Sequence, residues 1–298
     1  LNLLAGVSVA LLLLKATWTS TRKPACMIFT GLALALCYDF IQWIPVALSE
    51  ILYTSISFSI IYLVISLYQQ PFEPKKRATG VLVLVVIALF FRPSAPPVLF
   101  FTIASLSMAF FFNLSAADIA KRHKFILCFS LYSCLIAITI GLVHSYLMFH
   151  VDQWPFPIFR DLADYTSAGF RIGEVQNGRI GTYHFPPENI LDYSLIILHR
   201  IFVFFAVDTK MFSPAHSLAN YIFFIPVYGL SVFALAQIFK NENGPSTINW
   251  WLIFLCGFYI LMAAFFHSLL LVDYDWRYRT PCMPVLILLA TLGLNELI

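Results

Sequence analysis

Charged residues are scarce in this sequence: Asp, Glu, Lys and Arg make up only 11% of its 298 residues. Hydrophobic residues make up 60%, and the mean hydropathy is +0.84. These values exclude an ordinary soluble domain. The net charge of +3 is too small to indicate a nucleic-acid partner. The composition therefore predicts a polytopic membrane protein whose main partner is the lipid bilayer.

Several signatures of metal, redox and nucleotide chemistry are also missing. The cysteines lie in or beside apolar runs and form no CxxC pair, so we expect reduced packing residues rather than a zinc site or a disulfide framework. They are Cys26, Cys37, Cys128, Cys134, Cys256 and Cys282. The sequence contains no Gly-rich phosphate loop, internal repeat or low-complexity tract. We expect no metal site, and the sequence leaves open whether a divalent ion takes part in the chemistry.

Long uncharged runs dominate the chain, and they do not alternate as barrel strands would. A span needs roughly 20 apolar residues, and a helix satisfies its own backbone hydrogen bonds in lipid. The sequence thus predicts an all-α membrane bundle of about nine transmembrane helices. The predicted spans are 1–17, 25–42, 50–69, 78–91, 97–114, 125–149, 216–239, 249–272 and 281–296. Residues 192–207 are apolar but short and contain His199 and Arg200, which favours a helix lying in the membrane interface.

The predicted helices define three regions. Residues 1–149 form an N-terminal bundle of about six spans, and residues 216–298 contribute about three more. Between them, residues 150–215 contain the only stretch with soluble composition, together with the interfacial helix. That stretch is too small for a core of its own, so we expect a small extracytoplasmic cap packed on the helices.

Basic residues orient the bundle through the positive-inside rule. With residues 192–207 in the interface, four basic loops share one face, which we assign to the cytoplasm. They contain Arg22 and Lys23; Lys75, Lys76 and Arg77; Lys121, Arg122 and Lys124; and Lys240. If residues 192–207 crossed instead, Lys210, Arg277 and Arg279 would become cytoplasmic. Counted alone, these residues favour the crossing, but it would place Arg200 at mid-span, where a charge is costly.

Two charged residues, Asp39 and Arg92, are expected to lie within the hydrocarbon layer rather than in loops at its surface. Fifteen uncharged residues separate Lys23 from Asp39 and fourteen separate Arg77 from Arg92, which is about 21 to 23 Å of helix in a hydrocarbon layer of about 30 Å. Buried charges normally face a partner or a watery cavity. We expect an outward-opening pocket lined by Asp39, Glu50, Arg92 and the loop DYDWRYR at 273–279. The structural alternative is that Asp39 or Glu50 pairs with Arg92 to hold helices together.

The loop DYDWRYR has two conformations with different consequences. As a helix, it would pair Asp273 with Arg277 and Asp275 with Arg279 at i,i+4 spacing. As an extended chain, it would place all four charges on one side. The residue before Pro281 is biased away from helix, which favours extended geometry at the C-terminal end. Two guanidinium groups on one side would form a clamp for phosphate, oriented by the two aspartates.

The stretch DWRYRTPCMP at 275–284 resembles the C-terminal part of GT-C superfamily membrane glycosyltransferases, such as the protein O-mannosyltransferase and aminoarabinose transferase relatives. Two earlier stretches are similar to that group too: SEILYTSISFSIIYL at 49–63 and ALFFRPSAPPVLF at 88–100. Residues 198–230 show a weaker similarity to it. The resemblance runs from about residue 45 to the end of the chain. It implies transfer of a sugar from a polyprenyl-phosphate donor to an acceptor on the outer side of the membrane.

The resemblance also implies roles for individual residues. Arg92, Arg277 and Arg279 would bind the lipid phosphate, with Asp273 and Asp275 in support. The catalytic acid of the family lies in the first outer loop, and that motif is not found in this chain. Because the chain begins Leu-Asn-Leu-Leu rather than with Met, we expect that its N-terminal part is missing and that the acid precedes Leu1. Asp39 and Glu50 are the substitutes within this chain.

Two other functions use the same charges. A transporter or flippase of a lipid-linked or anionic solute would pass its substrate along them, although such proteins often contain inverted repeats. A non-catalytic subunit of a larger membrane complex would need the charges only for packing. For the glycosyltransferase we expect a bacterial inner-membrane location, with the active side facing the periplasm or exterior.

Overall fold

The computed structural model describes residues 1–42, 44–45, 50–69, 74–91, 96–112, 190–208, 213–240, 250–269 and 276–298. This part of the chain is helical and contains no strand, which confirms the all-α class there. Its α-helices are α1 (Asn2–Thr21), α2 (Pro24–Leu36), α3 (Tyr38–Ile41), α4 (Glu50–Gln69), α5 (Pro74–Phe91), α6 (Pro96–Phe112), α7 (Ile190–Phe204), α8 (Pro214–Lys240), α9 (Trp250–Leu269) and α10 (Met283–Asn295). A 3₁₀ helix, Trp276–Cys282, leads directly into α10.

Four of the described helices are long and apolar enough to cross a membrane, and they make the chain an integral membrane protein. The apolar segments are Asn2–Thr21, Glu50–Leu67, Pro214–Ile238 and Trp250–Ser268. Helices α2 and α10 have 13 residues each, or about 20 Å at 1.5 Å per residue. The predicted span 125–149 lies outside the described residues. The count of nine crossings therefore stays a prediction.

The predicted span 25–42 is not one helix. Helix α2 ends at Leu36, and Cys37 has φ −74° and ψ 86°, outside the helical region, before the single turn of α3 begins at Tyr38. No Pro or Gly marks this break, so local sequence rules do not predict it. The break turns the chain so that Asp39, in α3, is buried.

The described helices belong to two compact units. The first comprises Leu1–Ala117, Phe212–Ala263 and Trp276–Ile298, and so joins helices from both the predicted N-terminal and C-terminal regions. Its core is α10, in which every residue from Met283 to Gly293 is buried. A helix buried all round forms the centre of a bundle. The predicted cap, up to residue 189, lies outside the described residues.

Contacts within the first unit fix the directions of its helices. The Ser8 and Ser55 hydroxyl oxygens are 2.8 Å apart, and Lys15 Nζ lies 5.5 Å from the Tyr62 ring centroid, so α1 and α4 run parallel. Lys23 Nζ donates to the Asn295 carbonyl oxygen at 2.9 Å, near the end of α10. Helix α2 therefore runs antiparallel to α10. Arg22 and Lys23 share one end of this bundle with the C-terminus of α10, and Asp39 and the start of α10 lie at the other.

Three buried threonines connect α1, α2 and α10. The Thr30 hydroxyl oxygen lies 3.1 Å from that of Thr17 and 2.9 Å from that of Thr291. The Thr291 hydroxyl also donates to the Ile287 carbonyl oxygen within its own helix, at 2.8 Å. Interhelical hydrogen bonds of this kind hold membrane helices together without large side chains.

Replacing Thr30 with valine is expected to lower the free energy of unfolding by about 1 kcal/mol, since both interhelical hydrogen bonds are lost while the shape is nearly kept. Unfolding in mixed micelles would measure the change. Thr102→Val is the matched control, because the buried Thr102 hydroxyl donates only to Val98 in its own helix. Equal losses in the two variants would contradict an interhelical role.

In the second unit, Asp118–Met211 and Ala264–Asp275, α7 has two distinct sides. Arg200 is buried on one side. The other side exposes the apolar residues Leu191, Leu195, Leu198 and Phe202. The interfacial placement of residues 192–207 stays a prediction. With 15 residues, α7 is about 22 Å long.

Candidate functional site

A buried ion pair lies at the end of the first unit opposite Lys23. Arg279 Nε, from the 3₁₀ helix, donates to Asp39 Oδ2 of α3. The side chains are only 1% and 2% exposed. The two residues are 240 positions apart in the chain, so the fold brings together charges that the sequence keeps far apart. Burying either charge alone would be costly, and the pair neutralises both.

The 3₁₀ helix is also tied to Asp39 through the backbone. The Thr280 hydroxyl donates to the Asp39 carbonyl oxygen at 3.2 Å, and Thr280 is fully buried. Two neighbouring residues of one segment thus bind the side chain and the backbone of a single residue. This arrangement positions the segment that precedes α10.

Helix α8 supplies an aromatic wall beside the ion pair. The Arg279 guanidinium carbon lies 4.4 Å from the Phe224 ring centroid, a cation–π distance. One turn further along α8, the Tyr228 ring is 5.1 Å from that of Phe224. The guanidinium therefore has two kinds of support, a carboxylate and a ring face.

Glu50 also lies in the interior at this end. It is the first residue of α4 and is only 2% exposed. Helix α4 packs against the 3₁₀ helix. The structure therefore brings Asp39, Glu50 and Arg279, three of the predicted site residues, to one end of the first unit.

The extended conformation expected for the C-terminal end of DYDWRYR is wrong. Residues Trp276–Cys282 form a 3₁₀ helix that continues through Pro281. The contacts of Arg279 and Thr280 with Asp39 outweigh the local bias of the residue before a proline. Pro281 is tolerated because it lies close to the start of α10, where backbone N–H groups have no intrahelical acceptor.

The structure describes only one of the remaining predicted site residues, and only its backbone. Arg92, Asp273 and Asp275 lie outside the described residues. Arg277 lies in the 3₁₀ helix, and its side chain is outside the described part. The expected pairing of Asp39 or Glu50 with Arg92 is not tested, but Asp39 has Arg279 as an ionic partner.

Sequence reasoning missed the aromatic and hydroxyl members of the site. Phe224 is one of 30 phenylalanines, and nothing in its neighbourhood marks it as different. Tyr228 and Thr280 carry no motif either. The depth of Asp39 predicted an outward-opening pocket, with an ion pair to Arg92 as the alternative. The structure shows Asp39 in an ion pair with Arg279, and both side chains are almost fully buried.

The arrangement offers a fixed positive charge, a carboxylate and an aromatic face, with both charged side chains buried. A guanidinium held in place is suited to binding phosphate, and a carboxylate is suited to accepting a proton from a hydroxyl group. Within the described ranges, no three His, Cys, Asp or Glu side chains lie close enough to share a metal ion.

Comparisons of the chain with protein-family models, with curated proteins and with solved structures find no match.

Proposed function

We propose that this chain is a membrane glycosyltransferase that moves a sugar from a polyprenyl-phosphate donor to an acceptor. The observation that carries the proposal is the buried Arg279, which belongs to the GT-C-like stretch DWRYRTPCMP and is held by Asp39 at one end of a membrane bundle. Structural packing alone does not require an ion pair, since apolar residues of similar volume would be at least as stable in many proteins.

The site matches what the reaction needs. Cleavage at the sugar leaves negative charge on the lipid phosphate, and a fixed guanidinium stabilises that charge. In this proposal Arg279 binds the phosphate together with Arg92 and Arg277, and Asp273 and Asp275 orient the arginines. The acceptor hydroxyl needs a base, for which Asp39 and Glu50 are the buried carboxylates at the same end of the bundle.

The site also fits a location on the outer side of the membrane. It lies at the end of the first unit opposite Lys23, and basic residues favour the cytoplasmic face. Arg77 Nη1 donates to the Ser66 carbonyl oxygen at 2.6 Å, near the far end of α4 from Glu50. We therefore propose that the active side faces the periplasm or exterior. A bacterial inner membrane is the location that the family resemblance implies.

Replacing both Arg277 and Arg279 with alanine is expected to abolish sugar transfer by the protein that circular dichroism shows to be folded, since two phosphate-binding charges are lost. The measurement is transfer from radiolabelled polyprenyl-phosphate sugars by the purified chain in liposomes. Arg22→Ala is the control, because Arg22 is an exposed arginine at the opposite end of the first unit. Unchanged transfer by the double variant would refute the phosphate role, and no transfer by the unmodified chain would favour a transporter or a non-catalytic subunit.

A further inference from the structure

We propose that the donor phosphate replaces the Asp39 carboxylate on the Arg279 guanidinium, and that the displaced carboxylate becomes the base of the reaction. This inference rests on the proposed function. It gives Asp39 and Arg279 successive roles in the same reaction. Without a donor, Asp39 neutralises Arg279. With a donor bound, the phosphate takes over Arg279, and Asp39 is free to meet the acceptor hydroxyl.

Charge balance in the interior is the first argument. Asp39 and Arg279 are both almost fully buried, so a second anion competes with the carboxylate for one cation in a medium of low dielectric. Phosphate binds arginine with bidentate geometry. The hydrogen bond to Asp39 is made by Nε of the guanidinium. In this proposal a phosphate takes the place of the carboxylate on the guanidinium, and the displaced carboxylate needs a new partner, which the acceptor hydroxyl supplies.

The reaction itself keeps the charge of the site constant. The bond between the sugar anomeric carbon and the phosphate oxygen breaks, and its electron pair stays with the polyprenyl phosphate. The acceptor oxygen forms the new bond to the anomeric carbon, and its proton passes to the Asp39 carboxylate. As the phosphate gains a negative charge beside Arg279, Asp39 loses one. The buried site thus contains the same total charge before and after transfer.

Support for Arg279 does not depend on Asp39 alone. The guanidinium lies over the Phe224 ring, 4.4 Å from its centroid, and a ring face attracts a desolvated cation. The Thr280 hydroxyl binds the Asp39 backbone at 3.2 Å, not its side chain. The Asp39 carboxylate can therefore leave Arg279 while the guanidinium keeps its contact with the Phe224 ring.

Both partners are carried on short, interrupted elements. Asp39 lies on the single turn of α3, after the break at Cys37. Arg279 lies on a seven-residue 3₁₀ helix, and 3₁₀ runs longer than three or four residues are uncommon because their hydrogen bonds have poorer geometry. Because the Arg279 side chain is only 1% exposed, binding of a donor in this proposal requires a local movement of these short elements.

The test measures binding of undecaprenyl phosphate to the purified chain in phosphatidylcholine nanodiscs, with undecaprenol as the lipid control. Asp39→Asn removes the competing charge at constant size, so we expect about tenfold tighter binding of undecaprenyl phosphate together with loss of sugar transfer. Glu296→Gln is the matched variant, because it makes the same chemical change at the opposite end of the first unit. It should bind as the unmodified chain does.

The outcomes distinguish the exchange, in which phosphate replaces the Asp39 carboxylate on Arg279, from the proposed function. If the unmodified chain binds undecaprenyl phosphate no better than undecaprenol, both proposals are overturned. If it binds the phosphate but Asp39→Asn binds equally or more weakly, only the exchange is overturned. If Asp39→Asn does not fold alone, folding in undecaprenyl phosphate but not in undecaprenol supports the exchange, and failure in both lipids overturns it.

Discussion

Replacing Arg279 with methionine is expected to lower the free energy of unfolding by about 3 to 5 kcal/mol, because Asp39 would remain buried without its ionic partner. The apolar part of the side chain is largely kept, so the loss reports the charge rather than a cavity. Unfolding in mixed micelles, followed by circular dichroism, measures it. Arg22→Met is the control, since Arg22 is exposed and its replacement should change stability by less than about 0.5 kcal/mol.

A second substitution makes this prediction specific to the pair. Adding Asp39→Leu to Arg279→Met removes the buried carboxylate as well, and the double variant should recover most of the stability lost by the single variant. The double-mutant cycle then gives a large coupling energy between residues 240 positions apart. Additive losses would mean that the two charges do not meet in the folded protein.

Replacing Gly293 with alanine is expected to destabilise the bundle by about 2 kcal/mol or more, as overpacking at a backbone contact does. A Cβ atom at this position would clash with the carbonyl oxygen of Leu230 and would lie 3.3 Å from the Ala234 Cβ. Neither group is the end of a flexible side chain, so α8 and α10 would have to separate. Small residues allow helices in membranes to approach this closely.

Gly31→Ala is the matched control for this second effect. Gly31 is also helical, but an added Cβ would meet nothing within 4 Å. Alanine stabilises a helix interior relative to glycine by up to about 1 kcal/mol, so Gly31→Ala should be neutral or stabilising. The same unfolding assay compares the two. A neutral Gly293→Ala would show that α8 and α10 do not cross at this point.

The apolar runs predicted where helices lie, because a membrane span is a local property of about 20 consecutive residues. The starts of α4 and α8 fall within two residues of the predicted positions 50 and 216. The break at Cys37 could not be predicted in this way. It has no Pro or Gly, and it depends on the contacts that α3 makes with the distant 3₁₀ helix.

Only part of the candidate site could be predicted from the sequence. The short distance from Lys23 to Asp39 showed that a charge would be buried, since charges in lipid need partners. It did not show which partner, because Arg92, Arg277 and Arg279 are all arginines at the predicted outer end. Pairing is decided by how helices pack, and that information is spread over many contacts. The same holds for Phe224, whose place beside Arg279 depends on the rotation of α8.

Binding of undecaprenyl phosphate to the Asp39→Leu/Arg279→Met double variant tests the central claim most directly. This variant has no buried charge at positions 39 and 279 and is expected to fold. A loss of binding would therefore not result from misfolding caused by a buried unpaired charge. If Arg279 binds the lipid phosphate, the affinity should fall at least about a hundredfold relative to the unmodified chain, because a charge-assisted bidentate contact is removed. An unchanged affinity in the folded double variant would contradict it.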